Sequence, residues 1–125
     1  MEIQVGEYVR VMGIITKLFK IESKRDKKTY YFDRKVLDGF NFLSQYGIDQ
    51  LVRKHSFEII DLIEEGDFVN RLEIEKIIEP SQYTNYKKTL YCSESEGLYK
   101  GVFFNNDIKS VVTHEQMEAM EYEVK

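Results

Sequence analysis

A single cysteine, Cys92, a single proline, Pro80, and no tryptophan mark this 125-residue chain by what it does without. One cysteine rules out an intramolecular disulfide. It also rules out a thiolate-built structural zinc site, which uses two or more cysteines. Uninterrupted apolar runs are only a few residues long, so no segment reads as a transmembrane helix. The opening MEIQVGEYVR lacks an apolar core segment and predicts no secretory signal. These absences together set the expectation of a cytoplasmic protein. Compact chemical signatures are missing as well: GxGxxG, P-loop, GxSxG, CxxC and HExxH patterns do not occur.

What is present is the composition of a folded chain, 42% hydrophobic and 32% charged, of a length that suits one domain or two very small ones. The formal net charge of −4 is unevenly spread. Residues 17–35 carry Lys17, Lys20, Lys24, Arg25, Lys27, Lys28, Arg34 and Lys35 against three acids. Residues 58–79 reverse this, with Glu58, Asp61, Glu64, Glu65, Asp67, Glu73, Glu75 and Glu79 against Arg71 and Lys76. Such asymmetry steers partners, or simply solvates two surfaces.

The chain also says one thing twice. Lys27–Phe32 reads KKTYYF and Lys87–Cys92 reads KKTLYC, a shift of sixty residues. At the same shift Gly6-Glu7-Tyr8-Val9 falls on Gly66-Asp67-Phe68-Val69, Ile14 on Ile74 and Leu18 on Ile78. Seven identities arise over residues 6–33, clustered in two short motifs. With two residues deleted, Asp38-Gly39-Phe40 also matches Glu96-Gly97-Leu98. An internal duplication accounts for this pattern, and a chance likeness between two β-rich segments is the alternative.

Each copy reads as a β-meander. Glu7 to Val11 alternates, Met12-Gly13 supplies a tight turn, and Ile14 to Glu22 forms a long strand. That strand is expected to place Ile15, Phe19 and Ile21 on one face and Ile14 and Leu18 on the other. ESKRDKK is a polar hairpin tip and TYYF a dense strand signal. Residues 34–54 are ambiguous. Their apolar spacing fits a helix, but Gly39 and Gly47 each weaken one by about 1 kcal/mol. A strand is expected over Gly39–Gln45, with a helical turn near Asp49–Lys54. FEIIDLIEEGDFV joins the halves through a helical turn or an extended crossover, and Pro80 ends a strand Leu72–Ile78. THEQMEAMEYEVK carries a capping box, Thr113 with Gln116, and Met117, Met120 and Val124 are expected to form its buried stripe. The predicted fold is therefore mostly β. It comprises two related barrel-like halves of the Tudor or KOW type, over 1–57 and 58–112, and a C-terminal helix over 113–125.

Candidate sites follow from charge and exposure. The acids Glu64, Glu65, Asp67, Glu73 and Glu75 form a candidate partner-binding face. Glu73 and Glu75 alternate with apolar residues and are expected about 7 Å apart on one solvent face, close to a phosphate step. The alternative is a nucleic-acid contact through Lys24, Arg25, Lys27 and Lys28, with Tyr30 able to stack a base. His55 and His114 lie 59 residues apart, almost the repeat period, in two polar turns. Paired imidazoles bind metals, but no spacing of further ligands accompanies them, so no metal or other cofactor is expected. Cys92 takes the place of Phe32 in the repeat, which reads as a small buried hydrophobe rather than a nucleophile. No catalytic set emerges, and a non-enzymatic protein is expected.

EYVR, HSFEIIDLIEEGDFVN and DIKSVVTHEQMEAMEYEV resemble segments of a family of small proteins of phages and prophages of low-GC Gram-positive bacteria. The resemblance covers most of the chain, and its motifs are glycine turns, a crossover and a capped helix. Two positions depart from it: Arg71 stands where a glycine usually follows Val-Asn, and Met12-Gly13 where an acid-Gly turn is usual. The resemblance implies an accessory protein of a class that includes anti-CRISPR and other anti-defence inhibitors. Its expected partner is a host defence nuclease or other host protein, without membrane contact. Two alternatives stay open: nucleic-acid binding by the basic hairpin, and sequestration of a small signalling molecule.

Overall fold

Two antiparallel five-stranded sheets organise the chain, seen in a computed structural model that describes residues 1–80, 88–92 and 102–120. The chain divides into unit 1, Met1–Leu62, and unit 2, Ile63–Lys125, with one sheet in each. Unit 1 contains β1 (Tyr8–Val11), β2 (Ile14–Lys24), β3 (Lys27–Phe32), β4 (Phe42–Ser44), helix α1 (Gln45–Leu51) and β5 (Val52–Ser56). Unit 2 contains β6 (Phe68–Val69), β7 (Leu72–Ile78), β8 (Thr89–Cys92), β9 (Val102–Phe103), β10 (Val111–Val112) and helix α2 (His114–Met120). In both sheets four strands meander and the fifth returns to pair with the first, giving the orders β4-β3-β2-β1-β5 and β9-β8-β7-β6-β10. The mostly β prediction with a terminal helix holds. The barrel expectation does not: β4 and β5 remain at opposite edges of one sheet, and β9 and β10 of the other.

The glycine-acid motif has one structural job in both units. Gly6 and Gly66 take φ of 100° and 93°, a left-handed conformation open to glycine. Their N–H groups donate to the carbonyls of Leu18 and Ile74, and those residues donate back to the carbonyls of Glu7 and Asp67. The next turn is also shared. Met12-Gly13 and Asn70-Arg71 have positive φ at both central positions (49° and 76°, 51° and 71°), as a tight two-residue hairpin requires. Arg71 adopts this geometry without the glycine that favours it.

A bulge follows in each sheet. The β2–β3 register shifts between Leu18 and Lys20, and the β7–β8 register between Ile74 and Lys76. An extra residue in one strand breaks alternation. Phe19, expected to share a face with Ile15 and Ile21, consequently faces solvent at 49% exposure. Glu75 sits at the equivalent irregularity, so the regular spacing expected of Glu73 and Glu75 does not apply.

Segment 34–54 departs from the expected strand-then-turn. Only Phe42–Ser44 is strand, Gln45–Leu51 is helix, and Val52–Ser56 is a fifth strand pairing β1. Ser44 caps the helix by accepting from Gly47 N. Gly47 is tolerated inside it for a packing reason: a Cβ there would lie 3.3 Å from Leu43 side-chain carbons. The crossover Ile59–Leu62 is a 3-10 turn, and Arg10, buried on β1, donates to the Leu62 carbonyl at 3.0 Å.

The unit 1 core gathers Val9, Val11, Leu18, Tyr30, Phe32, Leu43, Ile48 and Val52. Each fully buried side chain of this size contributes about 1.5–3 kcal/mol. In unit 2, Val69, Ile74, Leu90 and Cys92 are buried. Thr113 and Gln116 form the expected capping box of α2, with reciprocal bonds of 3.2 and 3.0 Å. Met117, expected in the buried stripe of this helix, is instead 40% exposed. The Glu96-Gly97-Leu98 match, Lys87, Val124 and the side chain of Met120 lie outside what is described. Among the described residues no helix is long and apolar enough to cross a membrane.

Candidate partner-binding groove

The clearest surface feature in unit 1 is aromatic. Asp38-Gly39, both with positive φ (46° and 83°), turn the chain tightly between Leu37 and Phe40, which bond to one another through their backbones. This turn lifts Phe40 beside Phe42, with ring centroids 5.2 Å apart. Phe42 lies opposite Tyr31 in the β3–β4 ladder, with centroids 5.9 Å apart. Both pairs have the tilted geometry that aromatic quadrupoles favour. Helix α1 then supplies Tyr46, Gly47, Gln50 and Leu51 on the other side, while buried Leu43 forms the floor. The resulting groove encloses about 470 Å³. Phe40, Phe42 and Tyr46 are 55%, 41% and 75% exposed along it.

The groove runs beside an open strand edge. Phe32 N donates to the Asn41 carbonyl, which makes Phe32–Asn41 and then Tyr30–Leu43 the hydrogen-bonded pairs of this ladder. Phe42 and Ser44 are therefore the non-bonded positions; the N–H and C=O of Phe42 and the N–H of Ser44 aim away from β3, while the Ser44 C=O, at the N-cap, belongs to the first turn of α1. An apolar trough next to outward-facing backbone donors and acceptors suits an extended peptide, which adds as a strand and lodges alternate side chains.

Tyr30 lies beneath this surface. It is buried, its hydroxyl donates to Gln45 Oε1, and burial, helped by the carboxylates of Asp49 and Glu2, raises its phenol above the ordinary value. Sequence reasoning offered Tyr30 as a base-stacking residue; the strand's alternation instead turns it into the core and leaves Tyr31 half-exposed. The cations offered with it are placed as expected. Lys24, Arg25, Lys27 and Lys28 are all exposed on the β2–β3 hairpin, whose two-residue turn is Arg25-Asp26. Glu22 partly neutralises this hairpin, lying 3.2 Å from Lys20 and 4.0 Å from Lys24.

The acidic candidates separate. Glu65, Glu73 and Glu75 are exposed. Asp67 is fully buried, its two oxygens accepting from Glu64 N at 2.8 Å and His114 N at 2.9 Å, so it holds a turn and cannot meet a partner. Glu64 lies 3.2 Å from His114 Nε2. His55 pairs with buried Glu7 at 2.8 Å in unit 1, so each histidine meets acids of its own unit. Cys92 is buried in β8, as expected of a hydrophobe.

The groove residues Phe40, Phe42, Tyr46 and Leu51 escaped sequence reasoning. They fall across a turn, a three-residue strand and a helix, so neither the period of two nor that of 3.6 connects them. The one signal available was the high aromatic content, nine Tyr and eight Phe. A scan against protein-family models found no match to this chain, and searches of curated proteins and of solved structures found none either.

Proposed function

We propose that this chain is a non-enzymatic binding protein that engages a partner protein through the aromatic groove of unit 1. The observation that carries the reading is the contiguous exposure of Phe40, Phe42 and Tyr46 around a groove of about 470 Å³ at an open strand edge. Exposed apolar patches of this kind cost solubility and mark interaction sites. The partner segment is an extended peptide with apolar side chains, docked against β4. In the biological setting that the phage resemblance implies, the partner is a host defence protein, and the outcome is its inhibition. The exposed acids Glu65, Glu73 and Glu75 would then steer a basic partner rather than anchor it. The two units are read as copies of one ancestral half, supported by their common strand order, glycine-acid turn and KKT motif.

The test is affinity capture from a bacterial lysate with three variants beside the wild type. Phe42→Ser/Tyr46→Ser is expected to lose the captured protein while remaining folded. Glu73→Lys/Glu75→Lys is expected to retain it with slower association. Capture that survives the groove variant but disappears on acid reversal would move the contact to the acidic face. Salt-sensitive recovery of nucleic acid, abolished by neutralising Lys24, Arg25, Lys27 and Lys28, would favour the hairpin instead.

A further inference from the structure

We propose that Glu64, His114 and Glu115 of unit 2 form a binding site for a divalent transition metal of the zinc class. The three side chains converge from two elements: Glu64 precedes the Gly66 turn, and His114 and Glu115 open α2. His114 Nε2 lies 3.2 Å from Glu64 Oε1 and 3.2 Å from Glu115 Oε1, and all three ligand atoms fall within 4.8 Å of one another. Zinc bonds to imidazole and carboxylate are about 2.0–2.2 Å, which sets tetrahedral ligands about 3.3–3.6 Å apart. The two nitrogen–oxygen separations already lie near that edge length. An imidazole among the donors selects zinc, nickel, copper or cobalt over magnesium and calcium, which take oxygen. Water would complete the coordination, leaving the ion exchangeable.

Two further observations favour a ligand site over a simple ion pair. Buried Asp67 ties Glu64 N with one oxygen and His114 N with the other, so one carboxylate fixes both chain segments that carry the donors. Second, the imidazole packs over Gly66, where a Cβ would meet His114 Cβ at 3.5 Å. In unit 1 the corresponding Gly6 is covered by Phe57, 3.4 Å from the same built position. The frame therefore accepts an apolar cover there, and the fold does not demand a histidine flanked by acids. Glu118 Oε1 lies 4.0 Å from His114 Nδ1 on the ring's far side, too distant for a hydrogen bond but adding negative charge beside the imidazole.

The intact, untagged chain, stripped with a chelator, would be titrated with Co2+ and then Zn2+. Saturable binding of one Co2+ per chain, with visible absorption that Zn2+ abolishes, is expected. His114→Ala and Glu115→Gln should each weaken binding at least about tenfold, and His55→Ala should leave it unchanged. Circular dichroism identifies any variant that has lost its fold, and half-exposed Glu115 is the substitution that spares it. Absence of saturable binding, or binding unchanged by both His114→Ala and Glu115→Gln, would overturn the proposal.

Discussion

In unit 1 the third strand sends Tyr30 and Phe32 inward, and the matching positions of β8 in unit 2 are Leu90 and Cys92. The same substitution of small for large recurs along the sheet. β1 has four residues where β6 has two, and a seven-residue helix links β4 to β5 where a three-residue 3-10 turn, Asn105–Asp107, lies between β9 and β10. Among the described residues, unit 1 has the larger set of buried apolar side chains, and it carries an aromatic groove on its edge. Unit 2 covers its turn glycine with a histidine that meets two acids, where unit 1 covers Gly6 with Phe57 and pairs His55 with Glu7 alone. The comparison teaches that strand order rests on few residues: a left-handed glycine, a buried acid accepting a backbone N–H, and one tight two-residue turn. Side chains outside that set are left to carry chemistry.

Substitutions that exchange the two dressings test this division. The largest effect is expected in the core: Phe32→Ala should cost about 3–5 kcal/mol and Cys92→Ala about 1 kcal/mol. Urea titration of each variant measures both, and equal costs would break the contrast between the cores. Next is the buried acid. Asp67→Ala leaves the N–H groups of Glu64 and His114 without their acceptor and should cost about 2–3 kcal/mol. Preserved stability in that variant would show that the turn does not depend on the carboxylate.

Tyr30→Phe should cost about 1 kcal/mol, the worth of its bond to Gln45. It also has a pH signature. The folded phenol is raised above its ordinary value, so the contribution is complete below about pH 10 and is lost as pH rises through the folded value. Wild-type stability should fall over that alkaline range more steeply than that of Tyr30→Phe. Parallel curves would remove Tyr30 from the account. The smallest effect concerns the second turn, where Arg71 occupies a left-handed position that Gly13 fills in unit 1. Arg71→Gly should raise stability by about 1 kcal/mol, read as a higher denaturation midpoint, and a lowered midpoint would mean the turn is not strained.

The repeated KKT motif was legible because β3 and β8 pair their neighbours identically: Tyr31 faces Lys20 and Tyr91 faces Lys76 across the ladder. The glycine-acid turns were legible for the same reason, since a left-handed glycine cannot drift in sequence without rebuilding the turn. The intervening match was misleading. Structurally Leu18 corresponds to Ile74, not Ile78, because the first hairpin of unit 2 is four residues shorter and its second is four longer. An ungapped shift hides two compensating changes of length. The strand β5 was lost to a helical spacing that continues from α1 into Val52, and only its pairing with β1 distinguishes it. The groove was illegible because its residues share a surface without sharing a period, and Asp67 looked exposed because nothing local announces its two backbone bonds.

The most direct test of the central claim is a map of where a peptide binds. Peptides selected from a random library on the immobilised chain would be titrated into the isotopically labelled protein and followed by amide NMR. Extended, apolar-anchored sequences should be selected, and shifts should concentrate between Leu37 and Leu51 with slowed exchange at the Phe42 and Ser44 amides. Failure to select any peptide, or shifts centred on Glu73 and Glu75 or on Lys24–Lys28, would contradict the assignment of the partner contact to this groove.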